Sequence, residues 1–182
     1  HAGFHPGLIL PSVADASQAL VWLDGIAQTP GALNGLSEIS YHRYKGAKPR
    51  VLKAIAARAA DLGVATGMLE YWFGKATHDL LFQDLTLANV SAWQPRAAFS
   101  FHRIADDGQL VLEDEIRLDR LYFVAIRPGD QRIGASSSNP SALNPVAFRK
   151  PDGGISVVIE TQGPASGIVS DLPEGDYLIE TA

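Results

Sequence analysis

The chain has 182 residues, 46% of them hydrophobic and 19% charged, which is enough apolar material to bury a core. Its net charge of −5 gives no basic footprint for nucleic acid, and no apolar run reaches the roughly 18 residues of a membrane helix. Cysteine is absent, which excludes disulfides and thiolate metal sites.

The sequence starts at His1 without a signal peptide and stops on the strand-like run Ile179-Glu180-Thr181-Ala182, so both ends read as cuts through a longer protein. Leu8–Leu10 predicts a short buried strand. Asp15 is placed to cap a helix over about 16–26, with Ala19, Leu20, Leu23 and Ile26 on one face. A second strand runs through Leu36–Tyr44 and turns polar at its end. Pro49 opens a helix to about Leu62, striped by Val51, Leu52, Ile55, Ala59 and Leu62, and Gly63 closes it.

The third strand, Gly67–Gly74, holds one carboxylate, Glu70, in an apolar run. An acid there is costly unless it is paired, hydrogen-bonded or used. Thr77 predicts the cap of a helix to about Val90, with Leu80, Leu81, Leu85 and Ala88 inward. Ser91–Gln94 is a short fourth strand, which residues 97–101 extend in this reading. Residues 105–114 look acidic and turn-like, and a helix follows over 117–126 until Pro128-Gly129. From Arg132 the pattern becomes hairpin-like, with strands at 132–135, 146–149, 155–161, 167–171 and 177–181 punctuated by Gly, Pro, Asn and Asp. A βαβαβαβα unit over 1–129, implying a parallel sheet, is therefore expected to precede an all-β unit over 130–182.

Three successive strands end in chemistry-bearing groups: Tyr41, His42 and Tyr44; then Glu70, Tyr71 and Trp72; then Trp93 and Gln94. Parallel strands in one barrel bring such ends to one mouth. An acid, hydroxyls and flat aromatics suit a sugar, whose C–H face stacks on rings. Each residue also has a plainer reading. His42 is equally a structural histidine, Tyr44 a strand cap, Trp93 a core residue and Trp72 a packing partner of its aromatic neighbour. His78 falls in a helix's first turn and reads as surface or as support behind the site. There is no His-Glu-x-x-His pattern, phosphate loop or glycine-flanked serine, so neither a metal nor a cofactor is expected.

At these residues the chain resembles the C-terminal half of clan A glycoside hydrolases, most of all family 30. The matching pieces are Ile39-Ser40-Tyr41-His42-Arg43-Tyr44, Leu69-Glu70-Tyr71, Asp84 through Gln94, Tyr122-Phe123 with Ile126-Arg127-Pro128-Gly129, Ala147 through Gly153, and Leu172 through Tyr177. The resemblance implies an α/β fold: the C-terminal half of a (β/α)8 TIM barrel over 1–129, then an incomplete antiparallel β-sandwich over 130–182. It implies a retaining hydrolase of β-linked glycans, extracellular or periplasmic, with an oligo- or polysaccharide substrate. Glu70 would be the catalytic nucleophile, and His42, Tyr44, Trp72 and Trp93 substrate-binding residues. Leu69 departs from the family, which often has Thr there. The acid/base carboxylate would lie in a missing N-terminal half. A non-catalytic carbohydrate-binding protein on a degenerate barrel is the alternative.

Overall fold

The structure, a computed structural model, describes residues 3, 5–72, 76–96 and 101–181. The chain is a mixed α/β protein that divides into two compact units, residues 1–111 and 112–182.

In the first unit, strands β1 (Leu8–Val13), β2 (Leu36–His42), β3 (Ala65–Glu70) and β4 (Ala92–Trp93) alternate with helices α1 (Ala19–Ala27), α2 (Pro49–Leu62) and α3 (His78–Gln83). The strands form one sheet in chain order, every neighbouring pair parallel, as the βα alternation predicted. Helix α1 packs against β1 and β2, and α2 against β2 and β3. Leu23, Ile39, Leu52, Ile55 and Met68 are fully buried, so the core lies between the sheet and its helices.

Most local signals act as the sequence suggested, although Thr77 precedes α3 without a side-chain capping bond. Asp15 accepts a hydrogen bond from the Ser17 N–H at 2.9 Å and caps a 3₁₀ turn, Ala16–Gln18, that leads into α1. Pro49 sits in the first turn of α2, and Gly63 ends that helix at φ 66°, a left-handed conformation glycine adopts without strain. The helix expected to reach Val90 is α3 followed by a π-helical turn, Asp84–Ala88, which ends at Asn89.

Short strands β5 (His102–Ile104) and β6 (Leu110–Leu112) pair with each other around the Asp106-Asp107-Gly108 turn, so the turn expected over 105–114 is narrower than its acidity suggested. The predicted extension at 97–100 lies outside the described residues.

The second unit holds α4 (Asp114–Ala125) and an antiparallel sheet, β7 (Gln131–Ile133), β8 (Leu143–Arg149) and β9 (Ile155–Thr161), in that order. Val146, Ala147, Phe148 and Val158 are its buried centre. The buried Tyr122 hydroxyl of α4 donates to Glu160 of β9 at 2.7 Å, which ties the helix to this sheet. The division accordingly falls before α4, not at residue 129. Residues 167–171 and 177–181, expected as strands, are irregular, with Ile168 96% and Leu178 86% exposed. A strand needs a neighbour for its backbone bonds and its apolar face. None is present beside these segments among the described residues, where the unit shows a three-stranded antiparallel sheet with a helix.

Candidate active site

Two irregularities in the parallel sheet decide which side chains meet. Along β2, Ile39, Tyr41 and Arg43 are buried toward the helices, whereas Glu38, Ser40 and His42 occupy the opposite face. On β3, Thr66 and Met68 belong to the helix side; the Thr66 hydroxyl donates to the Ala88 carbonyl of the π turn at 2.8 Å. Plain alternation would send Glu70 the same way. The register shifts instead: Tyr41 is level with Met68, but His42 is level with Glu70. Leu69 is the extra residue, and the bulge brings Glu70 into the row of His42. A second shift lies on the other flank of β2, where Pro11 is level with Ser40 and Val13 with Tyr41. There the extra residue is Ser12, at φ 55°.

The Tyr44 hydroxyl donates to Glu70 Oε1 at 2.6 Å and accepts the Trp72 N–H at 3.2 Å. Partial burial, and then the bond to Glu70, raise the Tyr44 phenol above its ordinary value of 10.0, so it remains a donor at neutral pH. Its ring meets His42 edge-on at 5.9 Å and tilts against Tyr71 at 6.0 Å. His42 Nε2 lies 3.1 Å from Ser12 Oγ. The Trp72 side chain is 47% exposed beside the group. His42, Tyr44, Glu70 and Trp72 thus come together at neighbouring strand ends.

Trp93 does not join them. It is level with Met68, on the helix side, and its indole N–H donates to Asp84 Oδ2 at 3.0 Å. Asp84 is fully buried and also accepts from the Tyr41 hydroxyl at 2.6 Å, with Arg43 Nε 3.4 Å away. Burial raises the Asp84 carboxyl, and the Arg43 charge opposes that rise. This network locks Tyr41 and Arg43 behind the sheet, which leaves their neighbours His42 and Tyr44 for the front. Trp93, expected as a substrate-binding residue, is part of this lock, because its register with Met68 places it on the helix side.

Three contributors were not singled out from sequence. Asp84 carried a signal, an acid set among Leu80, Leu81, Leu85 and Leu87, which marks a partnered buried carboxylate. Glu38 faces the open side with its buried Oε1 making no hydrogen bond among the described residues. Ser12 carried no signal, since a bulge is a pairing property of two strands. His78 Nδ1 lies 3.8 Å from Asp79 Oδ1.

No family model matches the sequence, and none of the curated proteins matches it. Among solved structures, 86% of the chain is similar to 41% of a GH30 endoxylanase from Clostridium papyrosolvens C71, with a TM-score of 0.65 and 15% sequence identity. The fold is similar to that of a family 30 glycoside hydrolase. That agrees with the resemblance to the C-terminal half of such an enzyme. The chain spans about two fifths of that endoxylanase's length.

Proposed function

We propose that this chain is the nucleophile-bearing part of a retaining glycoside hydrolase acting on a β-linked glycan, its first unit being the C-terminal half of a (β/α)8 barrel. The observation that carries the reading is the Tyr44–Glu70 hydrogen bond of 2.6 Å at the ends of adjacent parallel strands, with Glu70 turned there by a bulge. Catalytic groups of such barrels sit at these strand ends.

In this reading Glu70 attacks the anomeric carbon and forms a glycosyl ester. A second carboxyl, about 5–5.5 Å away in retaining enzymes, protonates the departing oxygen and later deprotonates the attacking water. Water then adds at the anomeric carbon, and the Glu70 carboxylate leaves. Tyr44 holds Glu70 in place, His42 meets a sugar hydroxyl, and Trp72 offers an aromatic face. The second carboxyl comes from strands outside this chain. The substrate class is a β-linked pentose or hexose polymer, and the xylan suggested by the structural neighbour is the first to try.

The test has two arms. Xylohexaose added to the 182-residue chain should shift the amide signals of residues 42–44 and 70–72 in a heteronuclear NMR titration, with no hydrolysis. In the parent enzyme, a 2-fluoro xylosyl inactivator should leave its sugar on the peptide containing Glu70. Turnover by the 182-residue chain would place the second carboxyl within it. Binding without label in the parent would favour a carbohydrate-binding protein on a degenerate barrel.

A further inference from the structure

Ser12 is the one non-glycine residue among those of the four strand ends described above that holds a left-handed backbone conformation, at φ 55°. Left-handed φ is costly for a side chain with a Cβ, and such outliers persist where the surroundings enforce them, often at functional sites. The surroundings here are a bulge: β1 gains one residue against β2 between Pro11 and Val13. The result is that Ser12 Oγ reaches across to His42 Nε2, 3.1 Å away. On the other flank of β2 the Leu69 bulge brings Glu70 level with the same histidine. Two independent bulges in the strands either side of β2 therefore bring Ser12 within reach of His42 and Glu70 level with it.

We propose that Ser12 is a substrate-binding residue of this site, forming with His42 a clamp for one sugar hydroxyl; the proposal rests on the glycan-binding reading of the Glu70 group. The chemistry matches. A sugar hydroxyl both donates and accepts, and so does a serine–imidazole pair. A neutral imidazole has one donor and one acceptor nitrogen, and the serine hydroxyl has one proton and two lone pairs. The mutual bond uses one partner site on each, so the exposed Ser12 oxygen keeps capacity to meet a ligand. A residue with a purely structural task at this spot would be better served by glycine, which takes φ 55° at no cost.

Ser12→Ala and Ser12→Gly separate the two roles. Both remove the hydroxyl, but only glycine suits the backbone. The glycine variant should melt about 2–4 °C above the alanine variant, since strain of this kind is worth roughly that in a chain of this size. Both should bind xylohexaose about 3–10-fold more weakly than the wild-type chain, the value of one hydrogen bond, with the largest loss of NMR shift at His42. Tyr44→Phe serves as the reference for the site. If Tyr44→Phe weakens xylohexaose binding while both Ser12 variants bind as wild type, Ser12 is no part of the site and the proposal is overturned. If the wild-type chain shows no shift with xylohexaose, or shifts remote from residues 42–44 and 70–72, the glycan reading of the site fails and takes the clamp with it.

Discussion

Glu70 owes its place to a single inserted residue, so substitutions at it report on the chemistry rather than on the sheet. It is half-buried, and its Oε1 accepts from Tyr44. In the parent enzyme Glu70→Gln should keep the shape, lose the attacking charge and lower turnover by about 10⁴-fold or more, as other nucleophile knockouts do. Glycan binding should persist. Glu70→Ala opens space, so added azide should attack the anomeric carbon and give a glycosyl azide of inverted configuration, readable by NMR. Near-normal activity of Glu70→Ala would place the nucleophile elsewhere. Glu38 gives a second prediction, on stability. Burial raises its carboxyl above the ordinary value of 4.5. The folded chain thus favours the neutral acid, and the stability this gives is fully present below about pH 4.5. It is lost as pH rises through the raised folded-state value. Glu38→Gln should melt above wild type at pH 7 and alongside it at about pH 3.5. Equal melting temperatures at both pH values would mean that burial does not control this carboxyl.

At the scale of elements, legibility followed how local the cause was. Pro49, the Leu52-Ile55-Ala59 stripe and Gly63 lie within one helix, and α2 formed over 49–62 as read. Strand β9 also formed at its expected bounds, between two clear turn signals. Strands β1 to β3 were found because apolar runs alternated with helices. What sequence periodicity could not give was pairing. The bulges at Ser12 and Leu69 exist only in the register between strands, and Trp93 lies on the helix side because parity at a two-residue strand is set by its neighbour. The segments at 167–171 and 177–181 had strand composition without a strand to pair with, and composition alone does not make a sheet. The π turn at 84–88 is not legible in periodicity because it carries the Asp84 contacts to Tyr41, 43 residues away in the chain, and to Trp93 on the next strand. Gly63 supplies the element-scale test. A Cβ there would meet nothing within 4 Å, so Gly63→Ala probes backbone conformation alone. It should cost about 1 kcal/mol in chemical denaturation, left-handed strain partly offset by lower unfolded-state freedom. Gly67→Ala should cost more, because its Cβ would come within 2.8 Å of Glu38 Cδ and would also press on Leu69. A Gly67→Ala chain as stable as Gly63→Ala would mean that Glu38 can swing away freely.

For the molecule as a whole, the parallel sheet poses a problem of edges. Its order is β1-β2-β3-β4, so β1 and β4 each have one side that no other strand pairs among the described residues. Backbone groups on such a side are a template for another strand, and closed barrels avoid the hazard by having no edge. Strand β1 is apolar and accessible at its start, with Leu8 37% and Ile9 49% exposed. Parallel sheets are ordinarily covered on both faces, which sharpens the demand for a partner. In the proposed parent enzyme the remaining barrel strands meet that demand. In the 182-residue chain a second copy is the nearest substitute, so the chain should self-associate as its concentration rises. Light scattering after size exclusion, across a hundredfold dilution series, measures this. Ile9→Lys puts a charge on the exposed edge, the device natural edge strands use against pairing, and should shift the chain toward monomer. The substitution is at the surface of an edge strand, so its effect on folding stability should stay within about 0.5 kcal/mol. A wild-type chain that remains monomeric over the whole series, with Ile9→Lys indistinguishable from it, would mean that the β1 edge is masked and that the sheet does not depend on further strands.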